Sequence, residues 1–357
     1  PYVEKAPVPY PPVLHSLASA STITWLIHQK FELSIPLYRQ EKEWEALGLR
    51  LSRATMSNWL LVVYRDWLVH IVHRLKLELL KQRYLHIDET HVQVLKEPGR
   101  KNTSDSYMWV YCSIRDAVNP IRYFEYQPGR SGKYPEAFLR EYEGYIHTDA
   151  YSGYNAVSGV KRCLCYTHLR RAFVDALPKD IHNSEASKPA EAILRLNQLF
   201  NIESELEALP PDQKKKERLI REKPLLEAFW SWAEKSAIGE LPKSKLSKAF
   251  HYALNNREGF WNYLEDGNCS ISNSLAENCI RPFVIGRKNW LFSGSPKGAE
   301  ASAGIYTLVE TAKANGLAPM KYIKYILSDM PGSAFLEHPE YLDDYLPWNP
   351  LVKEFCR

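Results

Sequence analysis

The chain carries one arrangement twice. "HIDET" at residues 86–90 and "HTDAY" at 147–151 each place an aspartate two positions after a histidine, at the end of a short apolar run. If both runs are strands, side-chain alternation puts His86 and Asp88 on one face opposite Leu85 and Ile87, and His147 and Asp149 on one face opposite Ile146 and Thr148. Neighbouring strands would then bring Asp88 and Asp149 face to face. Two carboxylates held close repel unless they share a proton or a cation, and hard divalent cations take oxygen ligands. Mg²⁺ is the natural candidate. Two such ions about 4 Å apart activate an attacking oxygen and stabilise the leaving oxygen of a phosphodiester. A plain polar strand end is the ordinary alternative for Asp88 and Glu89.

A third carboxylate would complete such a site, and Glu277 in "NSLAENCIRP" stands immediately before a basic stretch. It has two structural roles open to it without metal. Ser274 and Glu277 have capping-box spacing, and Glu277 and Arg281 form an i,i+4 pair. Glu310 in "LVETAK" is a rival inside a long helix. The stretch 281–297, "RPFVIGRKNWLFSGSPK", contains Arg281, Arg287, Lys288 and Lys297 and no acid. Such residues suit phosphate contacts, and Trp290 among them either stacks on a base or packs into the core. "CLCYTHLRR" adds Cys165 and His168 in C-x-x-H spacing, too few ligands for a closed zinc site, and we read His168 as structural or substrate-orienting. Arg170 and Arg171 follow and are placed to reach phosphates, although one of two adjacent helical residues usually faces water.

The elements that must hold these residues follow from pattern. Residues 1–18 open Pro-rich, as an extended linker. From 19 to 83 the pattern is helical, with one helix ending at Gly48 and another starting at Ser52, the outline of a helix-turn-helix or of a plain helical hairpin. A period of two begins at Tyr84 and predicts three strands, then a helix, a fourth strand, a fifth strand and the helix "HLRRAFVDAL". This mixed α/β core occupies 84–178. An all-α insertion is expected over 179–270, where Lys214–Lys216 read as a solvated helix face. The core resumes over 271–330 and a tail covers 331–357.

The 357 residues, 45% hydrophobic and 25% charged, suffice for two or three packed domains. A net charge of +4 is too mild to prove a polyanionic partner, so that inference rests on the local cluster. The six cysteines form no regular ladder and are read as reduced. No apolar run approaches the roughly 18 to 20 residues needed to span a bilayer, and no signal peptide is recognised, so a cytoplasmic location is expected. The first residue is Pro, which leaves an upstream domain open.

Taken together, "HIDET", "HTDAYSGYN", "CYTHLRRAF" and the run from "NSLAENCIRPF" to "KANGLAP" closely resemble the insertion-sequence-66 transposases of the TnpC type. The resemblance extends over nearly the whole chain. It implies a ribonuclease-H-like core with an Asp-Asp-Glu triad interrupted by an α-helical insertion, the triad falling on Asp88, Asp149 and Glu277. It implies two Mg²⁺ or Mn²⁺ ions, and cleavage of transposon ends followed by joining of the 3′-hydroxyl to target DNA. Arg281, Arg287, Lys288, Trp290, Arg170 and Arg171 are then expected at DNA, with Cys165 and His168 supporting the core. Cutting and joining two ends calls for a homodimer or higher oligomer working near the nucleoid, alongside any accessory transposon proteins. Family members typically carry a Cys-rich zinc-binding segment and a helical region before the point where this chain starts. A catalytically silent DNA-binding protein and a nuclease that only hydrolyses are the alternatives.

Overall fold

The computed structural model describes residues 10–178 and 187–357. Residues 1–9 of the Pro-rich opening and 179–186, where the insertion was expected to begin, lie outside the described residues. In chain order the first helices are α1 (Ala20–Ile27), α2 (Leu37–Ala46), α3 (Arg53–Val63) and α4 (Val69–Leu80). The strands β1 (Tyr84–Val94), β2 (Asp105–Ser113) and β3 (Arg122–Gln127) follow, then α5 (Lys133–Phe138), β4 (Gly144–Thr148), β5 (Val160–Leu164) and α6 (Tyr166–Val174). Next come the helices α7 (Lys188–Glu205), α8 (Pro211–Ala237), α9 (Lys245–Asn255) and α10 (Arg257–Trp261). The chain ends with α11 (Ser274–Trp290), β6 (Phe292–Ser293), α12 (Pro296–Ala314), α13 (Pro319–Asp329) and α14 (Pro350–Cys356).

The strands form a mixed six-stranded sheet in the order β3-β2-β1-β4-β5, with β6 paired to β1. Two compact units divide the chain. One holds the residues up to Gln82 with Glu89–Arg130 and Ala276–Arg357, and the other holds Arg83–Asp88 with Ser131–Leu275. Strand β1 contributes its first residues to the second unit and its remainder to the first.

In the first unit, Gly48 at φ 85° ends the α2 region, and Ser52 starts α3 by accepting the Thr55 N–H at 3.1 Å. Both signals were legible in the sequence. The helix that starts there does not stop at Val63 but passes through a π turn, Tyr64–Leu68, directly into α4. Such a turn accommodates one extra residue in a helix. It lies against α12, where a Cβ on Gly304 would fall inside the Tyr64 ring, so only glycine fits. Helix α12 also seals β3: the Thr307 hydroxyl accepts the Phe124 N–H at 2.8 Å, and the Thr311 hydroxyl accepts the Arg122 N–H at 3.0 Å.

In the second unit, α6 and the helices α7 to α10 share one apolar core that includes Phe173, Leu196, Phe229, Trp230, Phe250 and Phe260. An ionic cluster is buried beside it. Arg218, fully inaccessible, donates Nε and Nη2 to the two Glu203 oxygens at 2.6 and 2.8 Å. Its remaining donors reach the carbonyls of Tyr263, Asp266 and Cys269 at 3.0, 3.0 and 2.8 Å. The guanidinium fork thereby fastens α8 to the loop after α10 with every donor direction used.

Candidate active site

The site is built from the first half of β1 and the end of β4, which pair in parallel with Leu85 beside Ile146 and His86 beside His147. Counted on by two residues, that register pairs Asp88, inside β1, with Asp149, one residue past the end of β4. The two histidine rings stack at 4.2 Å, 9° from parallel. Both rings are buried, as are Leu85, Ile87 and Ile146, so neither face of these strands meets water until the aspartates, which are half-buried. Parallel strands covered on both faces behave this way, and simple in-out alternation does not.

Asp149 lies one residue past β4 and turns the chain, its Oδ1 accepting the Tyr151 N–H at 2.9 Å. Arg162 braces that turn from β5, donating to the Asp149 carbonyl at 2.6 Å, the Thr148 hydroxyl at 2.7 Å and the Tyr151 carbonyl at 2.9 Å. Nothing in the sequence singled out Arg162. In the first unit Glu89, its side chain only 2% exposed, pairs with Arg130 at 2.7 Å. Of the two acids of "HIDET", Glu89 is held in this ion pair and Asp88 shares a strand face with His86. Hard carboxylate oxygens carried by two neighbouring strand segments are a donor chemistry suited to Mg²⁺ or Mn²⁺.

A loop leading into α11 is laced to the same strand ends. Asn273, 1% exposed, accepts the His86 Nδ1 hydrogen bond at 2.9 Å through Oδ1 and donates Nδ2 to the Ile87 carbonyl at 2.8 Å. Its own N–H donates to Cys165 Sγ at 3.1 Å. The Ser270 N–H donates to His147 Nε2 at 2.8 Å, and the Tyr166 N–H donates to the Ile271 carbonyl at 3.0 Å. The histidines of both His-x-Asp motifs therefore grip this loop, and Cys165 joins them as the residue preceding α6. Sequence reasoning missed Asn273 altogether. An isolated asparagine has no periodic signature, and its partners lie far away along the chain.

Glu277 lies in the first turn of α11 and belongs to the first unit. Helix α11 starts at Ser274, so Asn273 holds the position before it, with its amide turned to His86 and Ile87. A capping box built on Ser274 as the cap is displaced by one residue. Glu310 pairs with Lys313 on its own helix at 2.9 Å.

Along α11, Arg281 and Lys288 are exposed. Arg287 instead donates to the Thr90 hydroxyl at 3.0 Å and to the His91 carbonyl, and burial lowers its pKa. Trp290 packs edge-on against Phe283 with ring centroids 5.3 Å apart. On α6, Arg170 donates to Asn197 Oδ1 at 2.7 Å, Arg171 is exposed, and His168 is half-buried. Hydrogen bonding from Cys163 pulls the Cys269 thiol down to about 6, against the opposing effect of burial.

Residues 15–301 match the sequence pattern of the transposase IS66 family. The chain belongs to that family. It is 25% identical over 97% of its length to the uncharacterized protein y4hP of Sinorhizobium fredii, and 28% identical over 93% to y4qI of the same organism. A third protein of that organism, y4jD, is 26% identical over 97% of the chain. The alignments span 65, 63 and 69% of those proteins' own lengths. No helix among the described residues is long and apolar enough to cross a membrane.

Proposed function

We propose that the chain is the catalytic part of a DNA transposase, with a ribonuclease-H-like core in which Asp88, Asp149 and Glu277 hold two Mg²⁺ or Mn²⁺ ions. The observation that carries this reading is the β1–β4 register, in which the two His-x-Asp segments pair in parallel, His86 beside His147, with a half-buried aspartate two residues further on in each. Membership of the IS66 family supports it. When bound, the ions activate an oxygen nucleophile, water for cleavage and the 3′-hydroxyl for joining, and steady the leaving oxygen. Asp88 and Asp149 supply charge and hard oxygen donors. His86, His147 and Asn273 fix the backbone on which those donors stand, and Arg162 braces the turn after Asp149.

Exposed Arg281, Lys288 and Arg171 serve as phosphate contacts that position DNA without reading its sequence, and α2 with α3 adds a helix-turn-helix-like binding element. Arg287, Arg170 and Trp290 are engaged within the protein and contribute by shaping the surface around these contacts. Transposon ends and target DNA are the substrates, taken up by a dimer or larger assembly.

The test is a strand-transfer assay with labelled transposon-end DNA and Mg²⁺, run on wild type, Asp88→Asn and Asp149→Asn. Joined product from wild type, with both variants inactive yet still binding DNA, is the expected result, because an amide keeps the shape and loses the charge that holds the ion. Hydrolysed ends without joined product would identify a nuclease, and binding without either product a silent DNA-binding protein.

A further inference from the structure

A second constellation of side chains lies in the interior of the second unit, chemically distinct from the carboxylates. The β4–β5 register sets His147 opposite Cys163, and Cys269 enters from the loop that follows α10. An imidazole nitrogen and the two sulfurs lie within 4.8 Å of one another, on residues no more than 1% exposed. From this geometry we infer that His147, Cys163 and Cys269 form a binding site for a borderline-soft divalent cation of the Zn²⁺ type, separate from any site for hard cations at the aspartates.

Three features of the surroundings support it. Thiolate and imidazole are the donors Zn²⁺ prefers over carboxylate-rich settings, where Mg²⁺ competes well. One Zn²⁺ with two thiolates and a neutral imidazole sums to zero charge, which makes complete burial tolerable where a lone cation would not be. The imidazole is already oriented: Nδ1–H donates to the Leu85 carbonyl at 3.2 Å, the bond to a backbone carbonyl that metal-binding histidines commonly make through their second nitrogen. That leaves the Nε2 lone pair on the side where the Ser270 N–H now meets it at 2.8 Å. Metal uptake exchanges this hydrogen bond for a coordinate bond, and the freed N–H, one residue from Cys269, has thiolate sulfur as its new acceptor. A thiol that still carries its proton releases it to solvent as the ion binds. Three protein donors are fewer than a closed structural site uses, so binding is expected to be weaker than in a four-donor zinc finger.

The site would join β4, β5 and the loop gripped by Asn273 through one ion. Its test is titration of the reduced, full-length chain with Co²⁺, read by thiolate-to-cobalt absorption in the near ultraviolet. We expect saturation at one equivalent, loss of the band on adding one equivalent of Zn²⁺, and proton release on Zn²⁺ uptake in weak buffer. Cys163→Ser and Cys269→Ser should each remove at least half of the band, and Cys165→Ser should leave it intact. Folded wild type with no thiolate–cobalt band would overturn the inference, even if the variants fail to fold. So would a band that depends on Cys165 and survives Cys269→Ser. A chain that binds no cobalt but oxidises to a Cys163–Cys269 disulfide, seen as a loss of two hydrogens by mass, would assign the pair to thiol chemistry instead.

Discussion

Glu222 offers the sharpest quantitative test of the second unit. It is fully buried on α8, accepts the Tyr263 hydroxyl at 2.7 Å, and lies beside the Arg218–Glu203 pair. Burial, with the Glu203 charge added to it, pushes its pKa up from 4.5 to about 8. The folded chain therefore keeps a proton that the unfolded chain releases between about pH 4.5 and 8. Stability contributed at this residue falls as pH rises through that window, and the full penalty is present above it. A displacement of about 3.5 on the pKa scale, at about 1.4 kcal/mol per pH, corresponds to about 5 kcal/mol. Glu203 and Arg218 share the same field and return part of that energy within the cluster, so we expect a net effect of about 2 to 5 kcal/mol.

The perturbation is Glu222→Gln, which retains an oxygen for the Tyr263 hydroxyl and has no proton to lose. Urea unfolding of wild type and variant at pH 5.5, 7 and 8.5, followed by tryptophan fluorescence, reads the difference, because Trp230 and Trp232 lie in the core beside this cluster. The variant should gain on wild type progressively, by about 1 to 3 kcal/mol from the lowest to the highest pH. A stability difference that stays constant across the range would show that Glu222 is ionised in the folded chain, and the reasoning from burial would fail.

Gly304→Ala should cost about 2 kcal/mol by driving a methyl into the Tyr64 ring, and pairing it with Tyr64→Ala should recover part of the loss in a double-mutant cycle; independent effects would refute the contact. Arg281→Ala and Lys288→Ala should each flatten the dependence of log affinity for DNA on log salt by roughly 0.7 to 0.9, whereas Arg287→Ala should lower thermal stability and leave the slope nearly unchanged; a salt titration of the three single variants decides between these roles. Asn273→Asp keeps the oxygen that accepts from His86 but loses the donor to the Ile87 carbonyl, and should lower the thermal midpoint by several degrees, as followed by circular dichroism.

Local signals in the sequence were read well where local physics decides. The stop at Gly48, the start at Ser52 and the paired His-x-Asp strands each depend on a few adjacent residues, and each is found where expected. The roles of those motif histidines were not legible, because Asn273 and Ser270 meet them only through the fold. Charge misled in the run "KKKERLI". Lys215 and Lys216 are exposed as a solvated face should be, and Lys214 pairs with Glu203 at 3.3 Å, yet Arg218, two residues past Lys216, is fully buried. Periodicity marks which face of a helix turns inward, but it does not announce a buried guanidinium whose partners come from α7 and a distant loop. The run from Ser52 reads as one helix and is unbroken from α3 into α4; what its pattern did not show is the π turn, which adds a residue without interrupting the backbone.

That turn also constrains how the chain tolerates changes in length. Removing one residue from Tyr64–Leu68 would leave a helix that is regular throughout and, judged by backbone hydrogen bonding alone, an improved one. Because the wide turn already absorbs one surplus residue, the side chains after the deletion would keep nearly their present direction around the axis. Ile71, Leu75 and Leu79 would stay turned to the interior. The turn therefore acts as slack in the rod, so a single-residue deletion within it should be far less harmful than one inside α3 or α4, where every later side chain would swing by about 100°.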